Sequence, residues 1–202
     1  CANTAPVRLK KGIVEYFQCS SCHTLFSEPL ENAGMIGGGN EEQRNTVQNA
    51  DRIERIKSLM RNSEEKVLDY GCGHGILVDD LRKAGVDADG FDLYNPDFEV
   101  RPQPDVTSLD YLIEVIEHTS APFLELAVIN RALRPGGFLM VETSFVDIAL
   151  EEGIELESFF YVEPKVGHAT IFSHHGLDVL MCLKGFLPVQ HFNRNCRLFI
   201  KK

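Results

Sequence analysis

The sequence predicts an α/β chain: a doubly wound, mostly parallel sheet covered by helices, closed by an antiparallel C-terminal hairpin strand and preceded by a small cysteine-rich element. Three observations carry this. From Lys66 onward, short apolar runs alternate with segments of helical periodicity, the pattern of βαβ units. The first of these runs, Val67-Leu68, leads straight into a G-x-G-x-G turn at Gly71, Gly73 and Gly75. The last two β-rich runs are separated only by Arg194-Asn195, so they form a hairpin and one of them must oppose the parallel strands.

In chain order, residues 1–30 read as irregular or β structure. Val14 to Phe17 is a short strand leading into Cys19-Ser20-Ser21-Cys22, and Leu25-Phe26 follows before Pro29. Gly34 and Gly37-Gly38-Gly39 mark a connector, which places a cysteine-rich unit at 1–34 and the main domain at 41–202. From Glu41 to Arg61, Val47, Ala50, Ile53, Ile56 and Met60 recur at helical spacing. Strands are expected at Lys66–Tyr70, Asp87–Phe91, Thr107–Ile113 and Phe138–Thr143, with helices at Gly75–Ala84, Ala121–Leu133 and His174–Lys184. Phe186–Asn193 and Cys196–Lys201 make the hairpin. Right-handed crossovers between such elements give a parallel sheet.

The bulk properties narrow the function. A net charge of -10 disfavours binding nucleic acid through its phosphates, which needs a basic surface. No apolar run approaches the ~18 residues of a membrane helix, so no membrane partner is expected. The chain opens on Cys1 and a polar, proline-containing stretch unlike a signal peptide, and a start at Cys rather than Met reads as trimmed. The 6 cysteines are scattered rather than spaced as a disulfide framework, which suits a reducing, cytoplasmic setting.

The glycine turn carries the chemistry. Val67-Leu68-Asp69-Tyr70-Gly71-Cys72-Gly73-His74-Gly75 is a buried strand, a tight turn and the start of a helix. Glycines let the backbone turn sharply and let a ligand lie against it without meeting a Cβ. The spacing differs from the G-x-G-x-x-G of dinucleotide dehydrogenases. At the end of the next strand stands Asp92, where a carboxylate can accept both hydroxyls of a ribose.

This stretch resembles the class I S-adenosylmethionine-dependent methyltransferases, whose sheet is Rossmann-like. The likeness continues through Ile113-Glu114-Val115-Ile116-Glu117-His118, Leu133-Arg134-Pro135-Gly136-Gly137-Phe138 and Val141-Glu142-Thr143. It runs on to Gly167-His168-Ala169-Thr170-Ile171-Phe172-Ser173 and Gly185-Phe186. The resemblance implies S-adenosylmethionine as cofactor. Asp69, Gly71, Gly73 and Gly75 would line its methionine part, Asp92 would hold the ribose, and Leu93 and Tyr94 would flank the adenine. The implied partner is a small-molecule methyl acceptor, such as a sugar nucleotide or a hydroxylated metabolite. One departure stands out. Pro96, Pro102 and Pro104 crowd the short stretch from Leu93 to Val106, where the family places a helix and another strand, so the third strand should be vestigial.

Glu114, Glu117 and His118 fall at i, i+3 and i+4, which on a helix share one face. Two carboxylates and an imidazole make half a site for a divalent ion. The E-x-x-E-H spacing is similar to the metal-binding motif of small-RNA 2′-O-methyltransferases and of ubiquinone-pathway O-methyltransferases. In the former a later histidine completes the set, a part His168 would play here. Small-molecule methyltransferases that bind no metal carry the same pair, with the glutamate capping or pairing and the histidine either a base or simply packed. Either way Glu117, His118 and His168 are the candidate catalytic residues. An RNA 2′-O-methyltransferase and a non-catalytic cofactor-binding module are the rival functions.

The Cys19-x-x-Cys22-His23 stretch has three readings: one knuckle of a zinc ribbon, a metal-free knuckle, or a c-type haem attachment. It is similar to the cysteine element ahead of this fold in some sugar-modifying methyltransferases. On that likeness Cys1, Cys19 and Cys22 are zinc ligands, and a fourth lay upstream.

Overall fold

The computed structural model describes residues 7–28, 41–119 and 121–202. Strands β1 (Val7–Lys11), β2 (Val14–Gln18) and β3 (Leu25–Ser27) come first, then α1 (Glu41–Leu59), β4 (Lys66–Tyr70), α2 (Ile76–Lys83) and β5 (Asp87–Phe91). They are followed by β6 (Thr107–Ile113), α3 (Pro122–Ala132), β7 (Leu133–Glu142), α4 (Val146–Glu152), β8 (Thr170–Ile171), α5 (His174–Leu183), β9 (Phe186–Asn193) and β10 (Cys196–Lys201).

The main sheet has the order β5-β4-β6-β7-β10-β9. Strands β5, β4, β6 and β7 are parallel, and β10 is antiparallel to both of its neighbours, β7 and β9, as the hairpin requires. Both faces are covered, which is why β6 and much of β4 and β7 are apolar, while β5 carries two aspartates. Alternate residues feed opposite layers. Val67, Leu109, Tyr111, Met140 and Leu198 pack with Ile56 of α1 and with Leu77, Val78 and Leu81 of α2. Leu68, Leu112, Leu139, Val141 and Phe199 pack with Leu126 and Ile129 of α3 and with Leu177, Leu180 and Met181 of α5.

The third strand is absent, as the prolines foretold. Between Asp92 and β6 there is a single 3-10 turn, Pro96–Phe98, which leaves β5 as the sheet edge. That edge is charged: Asp89 pairs with Lys66 at 2.7 Å and with Arg82 at 3.4 Å, a common guard against edge-to-edge pairing. Strand β7 starts at Leu133 rather than at Phe138. An irregular register against β6 absorbs the extra residues around Gly136-Gly137.

Strands β1 and β8 and helix α4 have no distinct signal in the sequence. Strand β8 is two residues long and exists because it pairs with Leu25 and Phe26 of β3. It completes a second sheet, β1-β2-β3-β8. Leu9, Tyr16 and Leu25 of that sheet share an apolar cluster with Val146, Ile148 and Ala149 of α4 and with Phe159, Tyr161 and Val162. The N-terminal strands therefore pack on the segment joining β7 to α5.

Candidate active site

Two groups of side chains meet at the C-terminal edge of the parallel strands. The first is the glycine turn after β4. Gly71 has φ 84, and a Cβ there would overlap Val115 at 2.3 Å, so the turn can pass under the loop after β6 only as glycine. Gly73, at φ 54, meets nothing within 4 Å where its Cβ would be, leaving open space above the turn. Asp92 locks onto this turn. Its Oδ2 accepts from the Gly73 amide at 2.9 Å and its Oδ1 from the Tyr94 amide at 2.8 Å, while Asn95 donates to the Gly73 carbonyl at 2.6 Å. Leu93 and Tyr94 stand beside it, 60% and 63% exposed. Asp69 is buried under the turn. Burial lifts its pKa to about 7, the Asp92 charge adds to the rise, and the Arg52 charge opposes it.

Arg52 escaped the sequence reading. It lies buried on α1, bonded to Glu142 of β7 at 2.5 Å and to Asn49 at 3.2 Å. Its signal was its place at helical spacing with Asn49 and Ile56, both buried.

The second group follows β6. The sequence reading put Glu114, Glu117 and His118 on a helix face, and the structure corrects this. Residues 114–118 form a turn, with Glu114 in the left-handed region at φ 52 and the His118 amide donating to the Val115 carbonyl at 3.0 Å. Glu114 still meets Glu117, through a residue that no motif announced. Glu117 is fully buried. One of its oxygens accepts from the Tyr161 hydroxyl and the other from the Thr143 hydroxyl, the latter at 3.1 Å. Tyr161 Oη also lies 2.8 Å from Glu114 Oε2. A phenol carries one hydrogen, so it satisfies one carboxylate, and the second contact calls for a proton on Glu114. Desolvation of the Glu114 carboxyl, then the Glu117 charge, push its pKa up to about 8. The outer face of Glu114 reaches solvent, which screens part of that effect. Glu117 is raised too, by burial. Among the described residues, the basic group paired with Glu117 is His118, at 3.9 Å.

His168 arrives from the segment before β8. Its Nδ1 lies 2.8 Å from the Tyr161 carbonyl, and a carbonyl only accepts, so Nδ1 carries the hydrogen and Nε2 keeps a lone pair. Its ring stacks near Tyr161 at 4.2 Å and meets His118 edge-on at 4.8 Å. Burial lowers the His168 pKa to about 4, with His118 adding and the Tyr161 carbonyl opposing. Burial also lowers His118, against the backbone of Gly167 and Val166; its Nδ1 makes no hydrogen bond of good geometry. Both imidazoles are thus neutral near pH 7, as a base or a metal ligand must be. One ligand atom each from Glu117, His118 and His168 lies within 4.8 Å of the others. Glu114 stands outside this set and joins it through Tyr161.

At the N-terminus Cys19 and Cys22 are buried, and His23, at φ 60, is exposed. Burial raises the Cys19 thiol, but the Cys22 and Ser21 backbone amides outweigh it and the pKa falls. Cys1 lies outside the described residues.

A parallel sheet with one reversed strand, a glycine turn and an acid just past the next strand are the features of the class I S-adenosylmethionine-dependent methyltransferase fold. The methyltransferase-domain family matches residues 41–191, and the chain belongs to it. A ubiquinone biosynthesis O-methyltransferase of Hydrogenovibrio crunogenus is 28% identical over 115 residues, covering 46% of this chain and 48% of the relative. The chain thus spans about half the length of that curated relative. In fold the chain is similar to an S-adenosylmethionine-dependent methyltransferase of Archaeoglobus fulgidus, with TM-score 0.56, 15% identity, 80% of this chain and 97% of that one. It is also similar to a magnesium protoporphyrin IX methyltransferase of Synechocystis solved with bound S-adenosylhomocysteine, with TM-score 0.56, 13% identity, 83% and 90%. Among the described residues no helix is long and apolar enough to cross a membrane.

Proposed function

We propose that this methyltransferase moves the methyl group of S-adenosylmethionine to a hydroxyl oxygen of a small metabolite. The observation that carries the reading is the convergence of Glu117, His118 and His168. The glycine turn suits the cofactor: it offers open space above Gly73, the Asp92 carboxylate, and acids that favour a sulfonium cation. In this reading Asp92 takes the ribose hydroxyls, Leu93 and Tyr94 flank the adenine, and Asp69, Gly71, Gly73 and Gly75 border the methionine part.

The sulfonium supplies a methyl group with a good leaving group already attached. What remains is to align an acceptor oxygen, exclude water and take the acceptor's proton. Neutral His168 has Nε2 free to receive that proton, and the buried Glu117 carboxylate stabilises the cation that results. Tyr161 and Thr143 hold Glu117 in place.

The same three side chains fit a divalent cation. Two neutral imidazoles and a carboxylate are a suitable donor set, and the negative charge shared by Glu114 and Glu117 has no Lys or Arg partner among the described residues. A cation held there would lower the pKa of an acceptor hydroxyl. A ribose 2′-hydroxyl of RNA would fit this chemistry as well, but the charge of -10 argues for a small acceptor. The name of the Hydrogenovibrio relative, an O-methyltransferase, points the same way. Cys1, Cys19 and Cys22 of the N-terminal unit, residues 1–34, would hold zinc.

His118→Ala and His168→Ala should each lower turnover of a hydroxylated acceptor by roughly 10²–10⁴ while leaving cofactor affinity intact. Chelation should abolish turnover if a cation takes part and leave it unchanged if the histidines act alone. Full activity in both folded variants would rule out the acceptor-side assignment.

A further inference from the structure

We propose that Tyr16 is a positioning residue for the acceptor-side histidine: its hydroxyl, donating to the His168 carbonyl at 2.6 Å, fixes the peptide from which the His168 ring reaches Glu117 and His118. The proposal rests on the reading that His168 serves the acceptor.

His168 needs such a support. It lies in irregular chain between the 3-10 turn Pro164–Val166 and the two-residue β8, directly after Gly167, which has φ 90. The amides of the next two residues are bound, Ala169 and Thr170 both donating to the Glu117 carbonyl at 2.9 and 3.1 Å. The His168 carbonyl is buried and is not part of a strand ladder. Tyr16 supplies its hydrogen bond from a residue far away in sequence, in β2 of the N-terminal sheet.

Tyr16 is itself held firmly. It is fully buried in the cluster that β1, β2 and β3 share with α4 and Tyr161. Its phenol must be the donor in this contact, because the His168 carbonyl can only accept. Neighbouring contacts clamp the same segment. The Ser27 amide donates to the Ala169 carbonyl at 2.8 Å, the Ser173 amide donates to the Thr24 hydroxyl at 3.2 Å, and the Ser173 hydroxyl donates to the Cys22 carbonyl. The N-terminal element thus grips residues 168–173 at several points, and Tyr16 makes its contact to the histidine itself.

The ring geometry shows what the contact protects. With Nδ1 donating to Tyr161, the imidazole is locked as one tautomer with Nε2 bare. A rotated His168 peptide would carry the ring off the Tyr161 carbonyl and free both tautomers.

The test uses the full chain with histidine labelled in its ring nitrogens. Tyr16→Phe keeps the ring and its packing and removes only the hydroxyl. The wild type should show His168 as a single tautomer with its hydrogen on Nδ1. In Tyr16→Phe the His168 ring signals should shift toward a tautomer mixture, while affinity for S-adenosylmethionine stays unchanged. Turnover of a hydroxylated acceptor should fall roughly ten- to hundredfold, the scale of a misplaced reacting group. In a His168→Ala background the same change should cost nothing further. Leu9→Val loosens the same cluster without touching the His168 carbonyl and should leave the His168 signals in place. Identical His168 signals in the wild type and Tyr16→Phe, or an equal shift in Leu9→Val, would overturn the proposal. Full turnover in His168→Ala would instead overturn the acceptor-side reading, while the ring signals still report whether Tyr16 places the histidine.

Discussion

Replacing Asp92 by alanine should weaken S-adenosylmethionine binding by roughly ten- to hundredfold. The carboxylate already accepts the Gly73 and Tyr94 amides at 2.9 and 2.8 Å, one on each oxygen. A carboxylate has about four acceptor positions, so two remain, one per oxygen, for a ribose diol. A hydrogen bond to a charged group contributes about 1.5–3 kcal/mol. Each 1.4 kcal/mol is about a factor of ten in affinity, so losing the equivalent of one effective bond gives the range above. The fold should survive. The released amides lie in an exposed turn where water can replace the carboxylate, so the loss of stability should stay near about 1 kcal/mol. Titration calorimetry with S-adenosylmethionine and with its demethylated product would measure the change, with circular dichroism to check folding. Asp92→Asn should fall between, since the amide keeps one acceptor oxygen but loses the charge. An unchanged Kd in folded Asp92→Ala would refute the reasoning and leave the nucleoside to the glycine turn alone.

Two further outcomes follow from buried groups elsewhere. Asp110 of β6 is fully buried with neither oxygen hydrogen-bonded, and burial pushes its pKa up to about 7 against the nearby Thr107 hydroxyl and Lys201 ammonium. The folded state then holds a proton that the unfolded chain loses near pH ~4, so stability falls as pH rises between about 4 and 7. Asp110→Asn should flatten that slope and stabilise the protein at pH 8 by about 1–3 kcal/mol, after allowing for the unpaired amide. Thermal melts from pH 5 to 8 would show it, and parallel curves for the two proteins would contradict it. At the N-terminus, metal analysis should find zinc bound by the chain and lost in Cys19→Ser and Cys22→Ser; equal, negligible zinc in all three would leave the knuckle without a metal role.

The sheet could be read from sequence because strands covered on both faces are apolar at most positions. Leu109 to Ile113 and Val67-Leu68 advertise themselves in this way. The missing third strand was equally plain, because three prolines in so short a stretch remove the amides a sheet strand needs, whereas the lone Pro135 of β7 and Pro188 of β9 are tolerated at an irregular register and on an edge strand. The acceptor side was only half visible. Glu117 and His118 lie in a turn with Glu114 left-handed rather than on a helix, and His168, to which only the family resemblance pointed, lies beside them. Tyr161 and Arg52 could not be seen, since each acts through a contact made only once distant segments meet. Strand β8 is the extreme case: two residues whose identity as a strand depends on β3.

The central claim is that the methyl group goes to oxygen on a small acceptor. The most direct measurement supplies S-adenosylmethionine carrying a 13C-methyl group and reads the product by NMR, across phenols, sugar nucleotides and a short RNA. A labelled methoxyl on a small molecule is the predicted result. Label on nitrogen, sulfur or carbon, or on RNA alone, would contradict it.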